Sequence, residues 1–287
     1  MAARLVSYSK ATDEFEAEGL TDLQELIAFC AKVSNPAAQI NTETSERLIK
    51  YLIKHAHWSP LEMVNAVIEI ETTRDIAHQI VRHRSFAFQE FSQRYANPNE
   101  MDEVFVTSEA RLQDTKNRQN SIEVDMAKEG MAELIVGWEE KQQDVIYTAG
   151  RAYDWAINNG IAKEVARKVL PEGLTKTRLY MNGTIRSWVH YIELRSANGT
   201  QKEHMDVAVA CAKVISEIFP LVEELKGAYS PLRFNFYPSP YTSRTSLTAL
   251  CLSISPFANW TMSRCDVSLF FSNCVKLINP LSHIRSA

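Results

Sequence analysis

The residues best suited to chemistry lie in one short stretch, RHRSFAFQEFSQR, between Arg82 and Arg94. It begins with the triplet Arg82-His83-Arg84, continues through seven residues that include Glu90, and ends in Ser92-Gln93-Arg94. The planar arginine side chain presents a fork of N–H donors, which can bind two oxygens of one phosphate at once. Such a segment could hold a nucleotide by its phosphate while the carboxylate and the hydroxyl contact the base or sugar. Because most charge clusters are only solvated surfaces, the remainder of the chain must decide between these interpretations.

The triplet at residues 82–84 limits how this segment can bind. Residues 74–81 have helical spacing, with their apolar side chains predicted to face inward. Three consecutive residues of a helix span about 200° around its axis, so the three side chains cannot all contact one ligand from one helix face. Either they serve two ligands, or the helix gives way to a loop at this point.

Hydrophobic periodicity predicts the elements that must position this segment. Apolar and polar residues alternate over residues 64–71, which predicts a half-buried strand, and residues 175–181 predict another. Helical spacing is found at residues 23–30, 45–56, 74–81, 126–158, 162–170, 184–194 and 202–219. Thr21 and Gln24 predict a capping box before the first helix. The polar residues 107–123 predict an exposed segment.

Composition excludes several classes of protein. The chain has 287 residues, 45% of them hydrophobic, a net charge of −4 and a pI near 6.0. This acidic balance argues against a dedicated nucleic-acid binder and favours a small anionic ligand at a local basic site. The N-terminus lacks the apolar run of a signal peptide, and no apolar run of about 18 residues occurs, so we expect a cytoplasmic protein without membrane contact. Five cysteines without a CxxC pair predict neither a disulfide framework nor a zinc site, and we expect Cys30 and Cys211 to be buried, unreactive thiols.

The composition changes after about residue 228. Residues 229–287 are rich in Ser, Thr and Pro, hold three of the five cysteines, and carry five Lys and Arg residues against the single acid Asp266. We therefore predict a catalytic domain at residues 1–228 and a C-terminal extension at residues 229–287. The extension could be a genuine part of the protein, ordered or disordered, or translated sequence unrelated to the domain.

Four ordered blocks of this chain resemble the flavin-dependent thymidylate synthases. The signature of that family is an Arg-His-Arg triplet, seven residues and Ser-x-Arg, which residues 82–94 match. The other blocks are HWSPLE at residues 57–62, ARKVLP at residues 166–171, and residues 186–195 followed by Gln201 and Glu203. The chain departs from the family pattern at Met63, Ala87, Gln89 and Gly199.

The resemblance implies an α+β fold with a central, mostly antiparallel sheet flanked by helices. It implies a methyltransferase that makes dTMP from dUMP, with methylenetetrahydrofolate as the carbon donor and NADPH as the reductant acting through FAD. It also implies a homotetramer whose active sites are shared between subunits. An activated cysteine is not required, because the flavin can carry out the electron chemistry.

The resemblance also implies a dUMP site. Its residues would be Glu90, Ser92, Gln93, Arg94, Arg167 and Arg195. Arg94 and Arg167 are the first candidates for the phosphate. Arg195 would lie against the uracil, where a cation stabilises negative charge as C5 becomes nucleophilic. The candidate catalytic residues are Arg195 and Ser92, although no base that could make Ser92 a nucleophile can be identified.

A flavin site is implied in the same way. Its residues would be His57, Arg82, His83, Arg84, Glu90, His190 and Gln201. Taken singly, His57 could be an ordinary surface histidine, and Arg186 is more typical of an ion pair than of a ligand. Trp58 and Trp188 are more typical of a core than of a cofactor site. No metal is expected, because no compact shell of Cys, Asp and His accompanies the histidines.

Two other functions stay open at this point. A nucleotide- or nucleic-acid-binding module would use the same arginines on phosphates, would need no flavin, and would lose affinity steeply with salt. A flavoprotein reductase of other specificity would bind FAD but not dUMP.

Overall fold

The computed structural model describes residues 2–101, 103–197 and 199–222. Its strands are β1 (Ala2–Tyr8), β2 (Asn65–Thr73), β3 (Ala87–Glu90), β4 (Arg111–Gln113), β5 (Ser121–Glu123) and β6 (Lys176–Thr184). Its α-helices are α1 (Asp13–Ala17), α2 (Leu23–Ala31), α3 (Ser45–Lys54), α4 (Arg74–Ile80), α5 (Met131–Asn158), α6 (Lys163–Ala166), α7 (Ile185–Arg195) and α8 (Lys202–Ile218). Short 3₁₀ helices occur at Pro36–Ala38, Ser59–Glu62, Pro98–Glu100 and Arg167–Val169.

A four-stranded sheet in the order β1-β2-β6-β3 forms the centre of the described chain, and every pair in it is antiparallel. The fold class expected from the resemblance is confirmed. Strands β2 and β6 pair along their full length, from Asn65 opposite Thr184 to Thr73 opposite Lys176. Each of the two central strands runs directly into a helix, so α4 and α7 start at opposite ends of one strand pair.

One face of this sheet forms the core. Ala66, Ile68 and Ile70 of β2 alternate inward and are fully buried, as the period of two requires. They pack against apolar side chains of α2, α3, α4, α7 and α8. The opposite face is polar: Arg4 pairs with Glu69 at 2.8 Å, and Arg178 with Glu71 at 2.5 Å. The helices therefore cover one face of the sheet, and its other face carries ion pairs.

Two sequence predictions need correction, and a third is refined. The cap of α2 is Asp22, which accepts from the N–H of Glu25, whose carboxylate in turn accepts from the N–H of Asp22. Residues 107–123 are exposed or partly buried, as predicted, and they also form the hairpin of β4 and β5, with Ser108 bound to Gln142 of α5. The long helix α5 starts at Met131, after a turn, and not near residue 126.

Cys211 is buried, as expected, whereas Cys30 is only partly buried. No helix of the described residues is long and apolar enough to cross a membrane. The predicted boundary after residue 228 and the extension at residues 229–287 lie outside the described residues.

Candidate active site

Residues 82–84 lie just beyond the end of α4, where the helix gives way to turns. The helix ends at Ile80, and the N–H of His83 donates to the Ile80 carbonyl at 3.0 Å. Arg82 and Arg84 are exposed, whereas His83 is partly buried. The prediction of a loop at this point is confirmed. The loop gives His83 different surroundings from the two arginines beside it.

His83 and Arg195 are in direct contact although they are 112 residues apart in the sequence. Nε of Arg195 donates to Nε2 of His83 at 2.9 Å. Because an arginine N–H can only donate, His83 must be neutral with its proton on Nδ1. Burial, aided by the charge of Arg195, lowers the pKa of His83 and favours that neutral form. The two terminal nitrogens of Arg195 then have no partner among the described side chains and are available to a ligand.

Phe86 anchors the same segment to the core. Its ring lies edge-to-face on Trp188, with ring centroids 4.9 Å apart. It also covers Gly183 so closely that a Cβ atom there would lie 2.3 Å from the ring. The hydroxyl of Ser187 donates to the carbonyl of Ser85 at 3.3 Å. These contacts hold the segment on α7, the helix that ends in Arg195.

Glu90 ends the edge strand β3 and has two partners. Its Oε1 accepts from the hydroxyl of Thr177 at 3.0 Å and from Arg74 at 3.3 Å. The strand forms because Phe88 and Glu90 pair with Met181 and Leu179 of β6. The carboxylate is thus held between a hydroxyl and a guanidinium.

Ser92, Gln93 and Arg94 form a turn directly after β3. The carbonyl of Ser92 accepts from the N–H groups of Tyr95 and Ala96, both at 3.1 Å. Gln93 is only 2% exposed, and its Nε2 has no hydrogen-bond partner in the described structure. Arg94 is exposed and lies over the ring of Tyr95 at 5.5 Å.

Arg94 approaches α6, the short helix that precedes Arg167. The Nε of Arg94 is 3.7 Å from Glu164 of α6, which precedes Arg167 by three residues. Lys163 reinforces this approach by donating to the carbonyl of Tyr95 at 3.0 Å. Arg94 is therefore held near α6, and Arg167 begins the 3₁₀ helix that follows α6.

Four predicted arginines have no counter-charge. Among the described residues, no carboxylate lies within ion-pair distance of Arg82, Arg84, Arg167 or Arg195. Arg195 is also partly buried. A cation withdrawn from water without an acidic partner is favourable only when an anion is supplied from elsewhere. The arrangement suits a phosphorylated ligand.

Two of the three histidines predicted for the flavin, His57 and His190, are apart from this arginine segment. His57 is exposed, with its ring 6.3 Å from that of His55. His190 lies against Trp58, with ring centroids 4.5 Å apart, and burial together with the charge of Arg186 lowers its pKa. Within the described single chain, no hydrogen bond, ion pair or ring contact joins either histidine to residues 82–94.

The plainer interpretations of three neighbouring residues are confirmed. Trp58 and Trp188 are both buried. Arg186 is ion-paired with Glu62.

A cavity of about 940 Å³ lies elsewhere, between α5, the start of α8 and the ends of β2 and β6. Its lining contains six acids, among them Glu71, Asp75 and Glu203, and four bases. Of the predicted site residues only Gln201 lines it. The acidic excess disfavours a phosphate, so the cavity is not the site suggested by the arginines. Among the described residues, no group of three or more His, Cys, Asp or Glu could hold a metal ion.

Three residues that were not singled out from the sequence also belong to this site: Gln79, Tyr191 and His204. Tyr191 lies edge-to-face on His83, with ring centroids 5.0 Å apart. His204 is fully buried and hydrogen-bonded to both Tyr191 and Gln79. A sequence signal existed, because His204 lies on the apolar stripe of α8 that includes Cys211. A histidine at a core position requires polar partners.

Comparison with known proteins identifies the family. The family model described as thymidylate synthase complementing protein matches residues 18–221. The probable flavin-dependent thymidylate synthase of Paramecium bursaria Chlorella virus 1 is 46% identical over 77% of this chain and 97% of its own length. The flavin-dependent thymidylate synthase of Synechocystis sp. is 42% identical over the same shares.

Solved structures agree on the fold. The UMP/dUMP methylase PolB from Streptomyces cacaoi, bound with 5-Br dUMP, superposes with a TM-score of 0.62 and 23% identity, covering 79% of this chain and 95% of that one. The fold thus places the chain among proteins built like this methylase. The match to the family model and the identity to the curated relatives are more specific: the chain belongs to the family of flavin-dependent thymidylate synthases.

Proposed function

We propose that this protein methylates dUMP to dTMP, with methylenetetrahydrofolate as carbon donor and NADPH as reductant acting through bound FAD. The observation that carries the proposal is the contact between His83 and Arg195. It leaves a partly buried guanidinium with two free nitrogens and no acidic partner among the described residues. Relatives that are named flavin-dependent thymidylate synthases support the reaction.

Arg195 is proposed to stabilise negative charge on the uracil. As C5 of the base becomes nucleophilic, charge accumulates on the ring, and a fixed donor directed at it lowers the barrier. The bond from Nε to His83 restrains the guanidinium before the substrate arrives. Little reorganisation is then needed during the reaction.

The substrate phosphate is assigned to Arg94 and Arg167; the approach of Arg94 to Glu164, three residues before Arg167, supports this assignment. Ser92 and Gln93 are assigned hydroxyl and backbone contacts to dUMP, and Glu90 a contact to the base or sugar. The unpartnered Nε2 of Gln93 is consistent with a ligand nearby. Of these residues, Ser92 remains the second candidate for a direct catalytic role.

The flavin is assigned to His57, Arg82, His83, Arg84, Glu90, His190 and Gln201. Arg82 and Arg84 fit the two phosphates of FAD, since both are exposed and lack an acidic partner in the described chain. When bound, the flavin supplies the hydride that completes the methyl group. The protein residues orient it and exclude competing reactions.

A homotetramer with shared active sites is part of the proposal. Its support is that His57 and His190 do not contact residues 82–94 within one chain. Helix α5 adds support because it exposes large apolar side chains, including Leu134, Trp138 and Trp155. Exposed apolar surface of this kind often marks a protein interface. We also propose a cytoplasmic location.

The test is to incubate the purified chain with dUMP, methylenetetrahydrofolate and NADPH, with and without FAD, and to detect dTMP by mass spectrometry. Flavin-dependent dTMP is the expected result. FAD binding without dUMP binding would favour a reductase of other specificity. Salt-sensitive nucleic-acid binding without flavin would favour a nucleic-acid-binding module.

The domain boundary is a separate proposal, with residues 1–228 as the catalytic domain. The family match, which ends at residue 221, supports it. We expect a chain ending at residue 228 to form dTMP at the rate of the full chain, measured in the same assay. Loss of activity in the shortened chain would assign the extension a part in folding or assembly.

A further inference from the structure

A chain of hydrogen bonds lies behind the contact between His83 and Arg195. His204 forms its centre, with Nε2 3.2 Å from the hydroxyl of Tyr191 and Nδ1 3.3 Å from Oε1 of Gln79. Gln79 continues the chain through its Nε2, which donates to Gln201 at 2.7 Å. This chain of hydrogen bonds therefore links α7, α8 and α4.

Donors and acceptors in this chain can be assigned without ambiguity. An amide oxygen only accepts hydrogen bonds, so Nδ1 of His204 carries the ring proton and donates to Oε1 of Gln79. Nε2 of the neutral ring then accepts from the hydroxyl of Tyr191. Burial, aided by the charge of Arg195, lowers the pKa of His204 to about 4, so the ring is neutral at neutral pH. Each bond fixes the direction of the next.

The hydrogen-bond chain contacts His83 and lies one helical turn from Arg195. The ring of Tyr191 lies edge-to-face on His83 at 5.0 Å, and Tyr191 precedes Arg195 by one helical turn. Gln79 precedes His83 by four residues, and the ring of His204 itself lies 6.2 Å from that of His83. Replacing His204 would therefore affect the position of His83 through both Tyr191 and Gln79. No other element supplies a hydrogen bond to His83 among the described side chains, apart from Arg195.

We propose that His204 is a positioning residue, which holds His83 and therefore Arg195 in the orientation needed for methylation of dUMP. It acts through Tyr191 and Gln79 and is not assigned any contact with substrate or flavin. The inference rests on the proposed function of Arg195. Because Arg195 is assigned to charge that develops during the reaction, losing its orientation should lower kcat more than it raises KM for dUMP.

The test compares three variants of the full chain. His204→Leu removes both hydrogen bonds, and we expect kcat to fall about 10- to 100-fold, the effect typical of residues that orient a functional side chain. KM for dUMP should change less than about threefold. His204→Asn retains an amide donor for Gln79 and should recover much of the lost kcat.

Ile215→Ala is the matched control. Ile215 is also fully buried on α8 but makes none of these polar contacts. It should lower the thermal midpoint at least as much as His204→Leu while leaving kcat nearly unchanged. If both variants reduced kcat in proportion to their loss of thermal midpoint, the role of His204 would be structural only and the inference would be wrong.

A measurement without turnover separates this inference from the proposed function. NMR of ¹⁵N-histidine-labelled protein should report both His83 and His204 with the proton on Nδ1. In His204→Leu the signal of His83 should shift toward a mixture of tautomers. If the unchanged protein forms no dTMP, the proposed function fails, and this shift alone decides the inference. An unaltered His83 signal in His204→Leu would overturn it.

Discussion

The candidate site has an inner and an outer half, and the two are built differently. The inner half consists of His83, Arg195, Tyr191 and His204, whose side chains are at least partly buried and bonded or packed against one another. The outer half consists of Arg82, Arg84, Arg94 and His57, which are all exposed. Only Arg94 among these has an acidic neighbour within the described residues, at 3.7 Å.

The difference separates what one chain can organise from what its ligands must complete. Side chains whose polar atoms are bonded within the fold lose their freedom during folding, so binding does not have to restrain them again. Exposed arginine side chains keep their conformational freedom and become ordered only when an anion binds. We therefore expect substitutions in the inner half to lower the rate of the chemical step, and substitutions in the outer half to weaken ligand binding.

The largest effect is expected at Arg195. Arg195→Ala removes the fixed donor at the uracil and should lower kcat by about 10²–10³-fold or more, the cost typical of losing one charge-stabilising group. Bound flavin should be largely retained. The rate of dTMP formation and the flavin absorbance of the purified variant measure the two effects. Arg118→Ala is a control, since Arg118 is an exposed arginine of the β4–β5 hairpin. Full activity in Arg195→Ala would exclude the assigned role.

A smaller effect of a different kind is expected at Arg94. Arg94→Ala removes one phosphate contact, and charge-assisted hydrogen bonds of this kind contribute about 1.5–3 kcal/mol. KM for dUMP should therefore rise about 10- to 100-fold at little change in bound flavin. Steady-state kinetics with dUMP as the varied substrate measure the rise. An equal loss of kcat at saturating dUMP would place Arg94 in the inner half instead.

The inner half should also respond to acid. An unfolded histidine has a pKa near 6.5, and burial of His204 lowers it to about 4 in the folded protein. The folded state then binds fewer protons, so the stabilisation is complete above pH 6.5 and is lost as the pH falls toward 4. A shift of this size corresponds to about 3 kcal/mol. The free energy of unfolding, measured with urea at pH 7 and pH 4, should fall more in the unchanged protein than in His204→Asn, because the lowered pKa values of His83 and His190 affect both proteins. Equal falls in the two proteins would contradict the prediction.

The last prediction concerns a substitution that adds a single methyl group. Gly183→Ala would force the ring of Phe86 away from the sheet, because the new Cβ atom would lie 2.3 Å from that ring. We expect a destabilisation of about 1–3 kcal/mol, with some loss of kcat because Phe86 anchors the segment that holds His83. Gly137→Ala on α5 is the matched control: no atom lies within 4 Å of its added Cβ, so it should stabilise the helix by about 0.5–1 kcal/mol. The thermal midpoints of Gly183→Ala and Gly137→Ala measure the difference. Equal midpoints would show that the ring of Phe86 can move away without cost.

Much of the secondary structure was predictable from local patterns. The alternation at residues 64–71 predicted β2, and helical spacing predicted α3, α7 and α8 to within a few residues. The pattern failed at the edges of the sheet, since neither β1 nor β3 was predicted. Edge strands bury few side chains, so their periodicity is weak, and pairing with β2 and β6 decides their conformation.

The cap of α2 illustrates a different kind of failure. Thr21 with Gln24 and Asp22 with Glu25 both fit the capping pattern, one residue apart. In the structure the carboxylate of Glu25 accepts from the N–H groups of both Thr21 and Asp22, at 2.6 and 3.1 Å. Two overlapping patterns cannot be separated by sequence alone, because geometry decides which donors the carboxylate reaches.

The sequence by itself determined the family resemblance, the segment at residues 82–94 and the need of Glu90 for a partner, because these depend on residue types and short spacings. The tertiary structure alone decided that Arg195 would meet His83, and that His204, Tyr191 and Gln79 would lie behind that contact. These residues are brought together from α4, α7 and α8 by the packing of the helices on one face of the sheet. Local periodicity specifies which side of a helix is apolar, but not which polar groups of distant helices will face each other once those sides are buried.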